Sequence, residues 1–206
     1  MKKMRKVTLL LIAIMTAAIL GGCGNSFDAS GYVKALLDNS YKGDSTEFVN
    51  QKVGTKEQAE ELYKQGIDAE MSSLSMGAEV PEELQAEFRE VLEDIFKNVK
   101  YTVGDATKKD DSYEVEVKYQ KMNIFAPTME KLTEMASADG ATDEDAQVIE
   151  LLKDAMKEVM GSVTYGEEET TTIRVELVNK LWTPNEEDIT KLEELLFDLE
   201  AVTGAE

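Results

Sequence analysis

Histidine is absent from this chain of 206 residues, and cysteine occurs once, at Cys23. Without imidazole, Ser-His-Asp and Cys-His catalysis, histidine general-base chemistry and histidine-bearing zinc sites are all excluded. One cysteine permits no intramolecular disulfide. Proline occurs three times and tryptophan once, at Trp182; there is no Pro-rich linker, internal repeat or low-complexity tract. The longest largely apolar stretch, Val7 to Leu20, is short of the roughly 20 residues a membrane-spanning helix needs. Positive charge is scarce as well: 22 Lys and Arg stand against 42 Asp and Glu, a net −20. A polyanion such as nucleic acid is therefore no partner. No Gly-rich phosphate loop is present, and no cofactor is expected.

What is present begins with a leader. Lys2, Lys3, Arg5 and Lys6 form a basic start, Val7–Leu20 an apolar core, and Gly21-Gly22 a small-residue exit, the order of a secretory signal. The final four residues, Leu20-Gly21-Gly22-Cys23, resemble the lipobox of bacterial lipoproteins, departing at Gly21, where Ala, Ser or Thr is commoner. The resemblance implies diacylglycerol on the Cys23 sulfur and cleavage before Cys23. Residues 1–22 would then be removed and the protein held by lipid on the extracytoplasmic face of the cell membrane. One acyl chain binds a bilayer marginally, whereas two anchor it stably.

Loss of the leader removes four basic residues and no acid, leaving 18 basic against 42 acidic residues and a net −24 in 184 residues. That length suits one domain with an ordinary core. Residues 23–27 read as the lipidated cysteine and a short tether, and 28–206 as a single exported domain.

Asp28 is a plausible N-cap for a helix carrying Val33, Leu36, Leu37 and Tyr41 and stopping at Gly43. Thr55 and Gln58 form a capping box before Ala59, Leu62, Tyr63, Ile67 and Leu74. Pro81 opens a third helix with Leu84, Phe88, Leu92, Ile95 and Phe96 at helical spacing. The period then becomes two. Val99, Tyr101 and Val103, then Tyr113, Val115, Val117 and Tyr119, alternate with polar residues and predict a β-hairpin turning within 108–112. Pro127 is expected to start a helix through Met129, Leu132 and Met135, broken at Asp139-Gly140. Thr142 caps another, with Val148, Leu152, Met156 and Val159. Ile173, Val175 and Leu177 mark a strand, and Asn179-Lys180 a tight turn into Leu181-Trp182. Thr183 and Pro184 are expected to open a closing helix with Ile189, Leu192, Leu196 and Leu199. The fold class predicted is α+β, helices packed on one face of a three- or four-stranded antiparallel sheet.

The exported region also resembles small uncharacterised lipoproteins of Gram-positive anaerobes. Phe27-Asp28-Ala29-Ser30-Gly31-Tyr32-Val33, Leu37-Asp38 and Tyr41-Lys42-Gly43 carry that likeness. Helices leading into an antiparallel sheet are distantly similar to cystatin-like and nuclear-transport-factor-like folds, although the helix pair between the second and third strands departs from both. Neither resemblance brings catalytic residues.

Carboxylates remain as the chemistry to weigh. Glu167 and Glu169 share one face of a strand, and paired acids can cleave glycosidic bonds; their place beside Gly166 in an exposed strand is the simpler reading. Asp139, Asp143, Glu144 and Asp145 could offer oxygens to Ca²⁺ but do not fit an EF-hand. First-turn acids complement the helix dipole anyway, so no metal site is predicted. For ligand binding the candidates are Tyr113 and Tyr119 with Met129, Met135, Met156 and Met160 as an adaptable apolar cover, and Trp182 as a stacking surface. The expected function is non-enzymatic: a membrane-anchored lipoprotein binding an envelope protein, a peptide or an apolar small molecule. A carboxylate-dependent hydrolase of wall glycans and an accessory or spacer lipoprotein are the alternatives.

Overall fold

The structure, a computed structural model, describes residues 19–20, 27–75, 80–139 and 145–198. In chain order these form β1 (Ile19–Leu20), α1 (Ala29–Lys42), α2 (Thr46–Asn50), α3 (Lys56–Leu74), α4 (Glu82–Lys97), β2 (Lys100–Lys109) and β3 (Ser112–Asn123). There follow α5 (Phe125–Asp139), α6 (Asp145–Met160), β4 (Thr164–Val178), β5 (Leu181–Pro184) and α7 (Glu186–Leu196). The sheet is antiparallel throughout, in the order β1-β5-β4-β3-β2. Four strands, β2 to β5, lie between Lys100 and Pro184. The fifth, β1, is only two residues, Ile19–Leu20, added to the edge of the sheet at β5. The fold class is α+β, as predicted.

Local chemistry sets most helix ends. The Asp28 side chain accepts the Gly31 N–H at 2.9 Å, and a Cβ at Gly31 would collide with that carboxylate and with Gln51. Gly43 ends α1 with φ +63°, a left-handed backbone that disfavours any residue with a Cβ, while Tyr63 packs against it. Thr55 and Gln58 complete the predicted capping box.

The core lies between the sheet and α1, the helix with the most buried face: Tyr32, Val33, Ala35, Leu36, Leu37 and Tyr41 are all inaccessible. From α4 come Phe88, Leu92, Ile95 and Phe96, the stripe its sequence predicted. From the sheet come Val115, Val117, Tyr119, Ile173 and Val175. Each large apolar side chain buried so contributes roughly 1.5–3 kcal/mol. Tyr41, Phe96, Phe125 and Phe197 meet edge-on or tilted, with centroids 5.5–6.3 Å apart. Two carboxylic acids, Glu70 of α3 and Glu193 of α7, are buried near Tyr41. Burial first, and then these acids, push the Tyr41 hydroxyl far above its ordinary value.

Four sequence expectations are corrected. Pro127 is the third residue of α5, not its start, a first-turn position where its missing N–H costs nothing. Thr183 and Pro184 belong to β5. Asn185 instead caps α7, its carboxamide accepting the Asp188 N–H. Cover for the sheet comes from α1 and α7, whereas α5 pairs with α6 and α6 leans on α4. Consequently Met129 does not face the sheet; it is 49% exposed on the free side of α5. Gly140, Thr142 and Leu199 lie outside the described residues.

Candidate functional site

The sequence candidates separate into three places. Tyr113 and Trp182 meet at one end of the sheet, in a cluster completed by Phe27 and Tyr32. Phe27 stacks on the Trp182 indole (centroids 4.8 Å, planes 8° apart), and Tyr113 meets both rings edge-on at 5.5 and 5.1 Å. The Tyr32 hydroxyl donates to the Trp182 carbonyl at 3.1 Å; burial pushes that phenol well above its ordinary value. Phe27 and Tyr32, 5.5 Å apart, flank the Asp28 cap as residues N′ and N4. That is the spacing of a hydrophobic staple, a sequence signal that could have placed both. β5 is delivered here by the turn at Asn179 and Lys180, whose φ values of 52° and 68° make the mirror-image turn suited to strand twist.

Tyr119 lies on the same strand face as Tyr113 but six residues, about 20 Å, further along. There its hydroxyl donates to the Glu169 carboxylate at 3.0 Å, and Lys121 stands 3.7 Å from the same acid. The two tyrosines therefore do not orient one small ligand. Glu167 and Glu169 are both solvent-exposed in β4. The side chains of Asp139, Asp143, Glu144 and Asp145 lie outside the described residues, as does Cys23.

The methionines occupy the third place. Met156 is fully buried and Met135 half-buried. Met160 lines a cleft of about 440 Å³ between α4 and α6, with Glu87, Glu90, Val91, Asp94, Lys153 and Lys157. Lys153 is only 8% exposed, and its ammonium bonds Glu87 at 2.6 Å and Asp154 at 3.2 Å. The Glu87 hydrogen bond raises the Lys153 pKa above its ordinary value and outweighs the opposing effect of burial. The cleft was missed because its charges come from two helices 60 residues apart.

A polar centre on α1 completes the inventory. Asp38 is 4% exposed and accepts from Lys34, from Lys42 at 3.1 Å and from the Tyr101 hydroxyl at 2.7 Å. Burial favours the protonated acid, but these three donors hold the carboxyl below its ordinary value. Lys42 also lies 4.3 Å from the Tyr101 ring centroid. The arrangement locks α1 to β2.

No family model matches the chain, and no curated protein matches it. A solved structure does: a Bacillus subtilis protein, ycdA, described as a candidate lipoprotein, superposes with a TM-score of 0.58 at 14% identity. The match covers 82% of this chain and 56% of that one, so the chain spans little more than half of its structural neighbour. At this identity the two share a fold. Among the described residues no helix is long and apolar enough to cross a membrane.

Proposed function

We propose that the protein is a lipoprotein anchored through Cys23 on the extracytoplasmic face of the cell membrane, its folded region a non-enzymatic binding module. The observation that carries the reading is the placement of Phe27, four residues after Cys23. It stacks on Trp182, so a cysteine at the mature N-terminus is held close to one end of the domain. The lipobox-like sequence before it, and a fold shared with a candidate lipoprotein, agree. Binding rather than catalysis is supported by the missing histidine and by the engagement of Glu169 with Tyr119 and Lys121 on an open strand.

The α4–α6 cleft falls in the size range of ligand pockets. Lys153 and Lys157 oppose Glu87, Glu90 and Asp94 there, which suits a peptide segment bearing both charges better than an apolar molecule.

Metabolic labelling with a fatty-acid analogue tests the anchor: label is expected on the full chain and lost in Cys23→Ala. Equal label on both would defeat it. A photo-crosslinking residue at position 90 in intact cells should give discrete adducts that the same residue at exposed Thr107 does not. Purified protein is expected to leave peptidoglycan intact, and turnover abolished by Glu169→Gln would restore the hydrolase.

A further inference from the structure

Leu177 and Val178 close β4 with 45% and 47% of their surface exposed. Among the described residues this is the one place where two large exposed apolar side chains are consecutive in the chain. They stand on opposite faces of the hairpin: Leu177 is across from Trp182, and Val178 across from half-buried Leu181. A β-hairpin apolar on both faces at its tip has no reason to be so as a solvated turn. One such face would be expected to be polar.

The chain limits how far this tip can lie from Cys23. Four residue steps separate Cys23 from Phe27, so the cysteine is within about 14 Å of a residue stacked on Trp182 of the hairpin. A lipid on Cys23 therefore brings this hairpin, and no distant part of the domain, against the bilayer.

Charge points the same way. The mature chain carries a net −24 (18 basic, 42 acidic), which anionic headgroups repel. At this end of the sheet, where Lys109 pairs with Ser112 and Ser112 with Glu176, the balance is different. Glu114 is taken up by Lys109 and Glu176 stands by Arg174. Lys108 and Lys180 lie at the same end as Asp110 and Asp111, in or beside the two turns. With Asp188, the nearer partner of Arg174, the end holds four basic and five acidic side chains, a weaker negative balance than that of the chain as a whole, and its aromatic residues are of the type that favours a membrane interface.

We propose that the β4–β5 hairpin, through Leu177, Val178 and Leu181 with Trp182 behind them, is a membrane-contacting foot. It seats the domain on the bilayer that holds its lipid and fixes its orientation there. The inference rests on the Cys23 anchor. It assigns the bilayer interface, rather than a protein, to the exposed apolar tip.

The chain supplies its own reporter, since Trp182 is its only tryptophan. The full chain, made in a bacterium, labelled with fatty acid and reconstituted into phosphatidylethanolamine–phosphatidylglycerol vesicles, is compared with vesicles whose acyl chains are brominated. Trp182 emission is expected to fall at least twofold in brominated vesicles. Leu177→Asp with Val178→Asp should abolish most of that quenching while retaining the fatty-acid label and cooperative unfolding. As a second readout, Val178→Cys provides the one free thiol of the acylated protein, and a polarity-sensitive dye on it should shift to the blue on reconstitution. Label present with Trp182 unquenched and the dye unshifted overturns the foot alone. Absence of label overturns the anchor and the foot with it. Disulfide-linked dimers of Val178→Cys without quenching would give the tip to a second copy and also overturn the proposal.

Discussion

Asp188 of α7 accepts both the backbone N–H of Arg174, at 2.9 Å, and its guanidinium Nε, at 2.7 Å. β5 leaves the sheet after Pro184, and the carboxylate takes over the β4 amide that the departing strand no longer reaches. A second guanidinium nitrogen reaches Asn185, the α7 cap, at 3.0 Å. The sheet edge and the start of the last helix are thus one polar unit.

Asp188→Ala is expected to lower stability by about 1 kcal/mol in urea melts. Hydrogen bonds to charged groups are worth about 1.5–3 kcal/mol, but Arg174 is well exposed and solvent compensates in part. Asp188→Asn should recover some of the loss, because its carbonyl can still accept the Arg174 amide. An Asn variant as damaging as the Ala variant would contradict the geometry.

Stability should also fall in acid through Asp38 and Asp188. Burial opposes ionisation at both, yet their donors hold each carboxyl below its ordinary value in the folded protein. A depressed folded pKa means the stabilisation is complete above the unfolded value, about 3.9, and is lost as pH drops through the folded one. The decline in wild type should therefore steepen below about pH 4. Asp38→Asn should be less stable at pH 7 and should show a shallower acid decline.

Within α4 the periodicity gives a contrast. Leu92→Ala should cost about 2–5 kcal/mol, since the side chain is buried among core residues. Exposed Glu90→Ala should change stability by less than about 0.5 kcal/mol. Chemical denaturation of the two variants side by side decides whether the apolar stripe is the buried face.

At the β4–β5 turn, Lys180→Gly should raise stability, by up to about 1 kcal/mol. Lys180 sits at φ 68°, where a Cβ is penalised and glycine is not. A loss on substitution would mean the lysine side chain holds the turn by a contact of its own.

Much of the fold was legible because its signals act over a few residues. Asp28 reaches Gly31, Thr55 and Gln58 answer each other, Gly43 takes a left-handed backbone, and Asn179-Lys180 closes a two-residue turn. Alternation from Tyr113 to Tyr119 showed the buried face of β3 until the register shift between Gln120 and Met122, after which Met122 turns inward. β4 starts as early as Thr164, well before Ile173, because its first half is polar on both faces and leaves no alternating pattern to read.

The candidate site was legible only in parts. Tyr113 and Trp182 were singled out separately, and their union with Phe27 depends on β5 folding back beside β4. Tyr119 and the methionines were grouped because α5 and α6 follow β3 in the chain. In the structure those helices pack on each other and on α4, and α1 and α7 take the sheet.

By itself the sequence determined the caps of α1 and α3, the hairpins, the α+β class, the acidity of the chain and the closure of histidine chemistry, since each is local or compositional. Tertiary structure alone decided which helices cover the sheet, that Lys153 is buried against Glu87, and that Phe27, four residues after Cys23, docks on the β4–β5 hairpin. These depend on contacts between residues tens to more than a hundred positions apart. Several amphipathic helices offer equivalent apolar faces to one sheet, and only the packing of the whole chain selects among them.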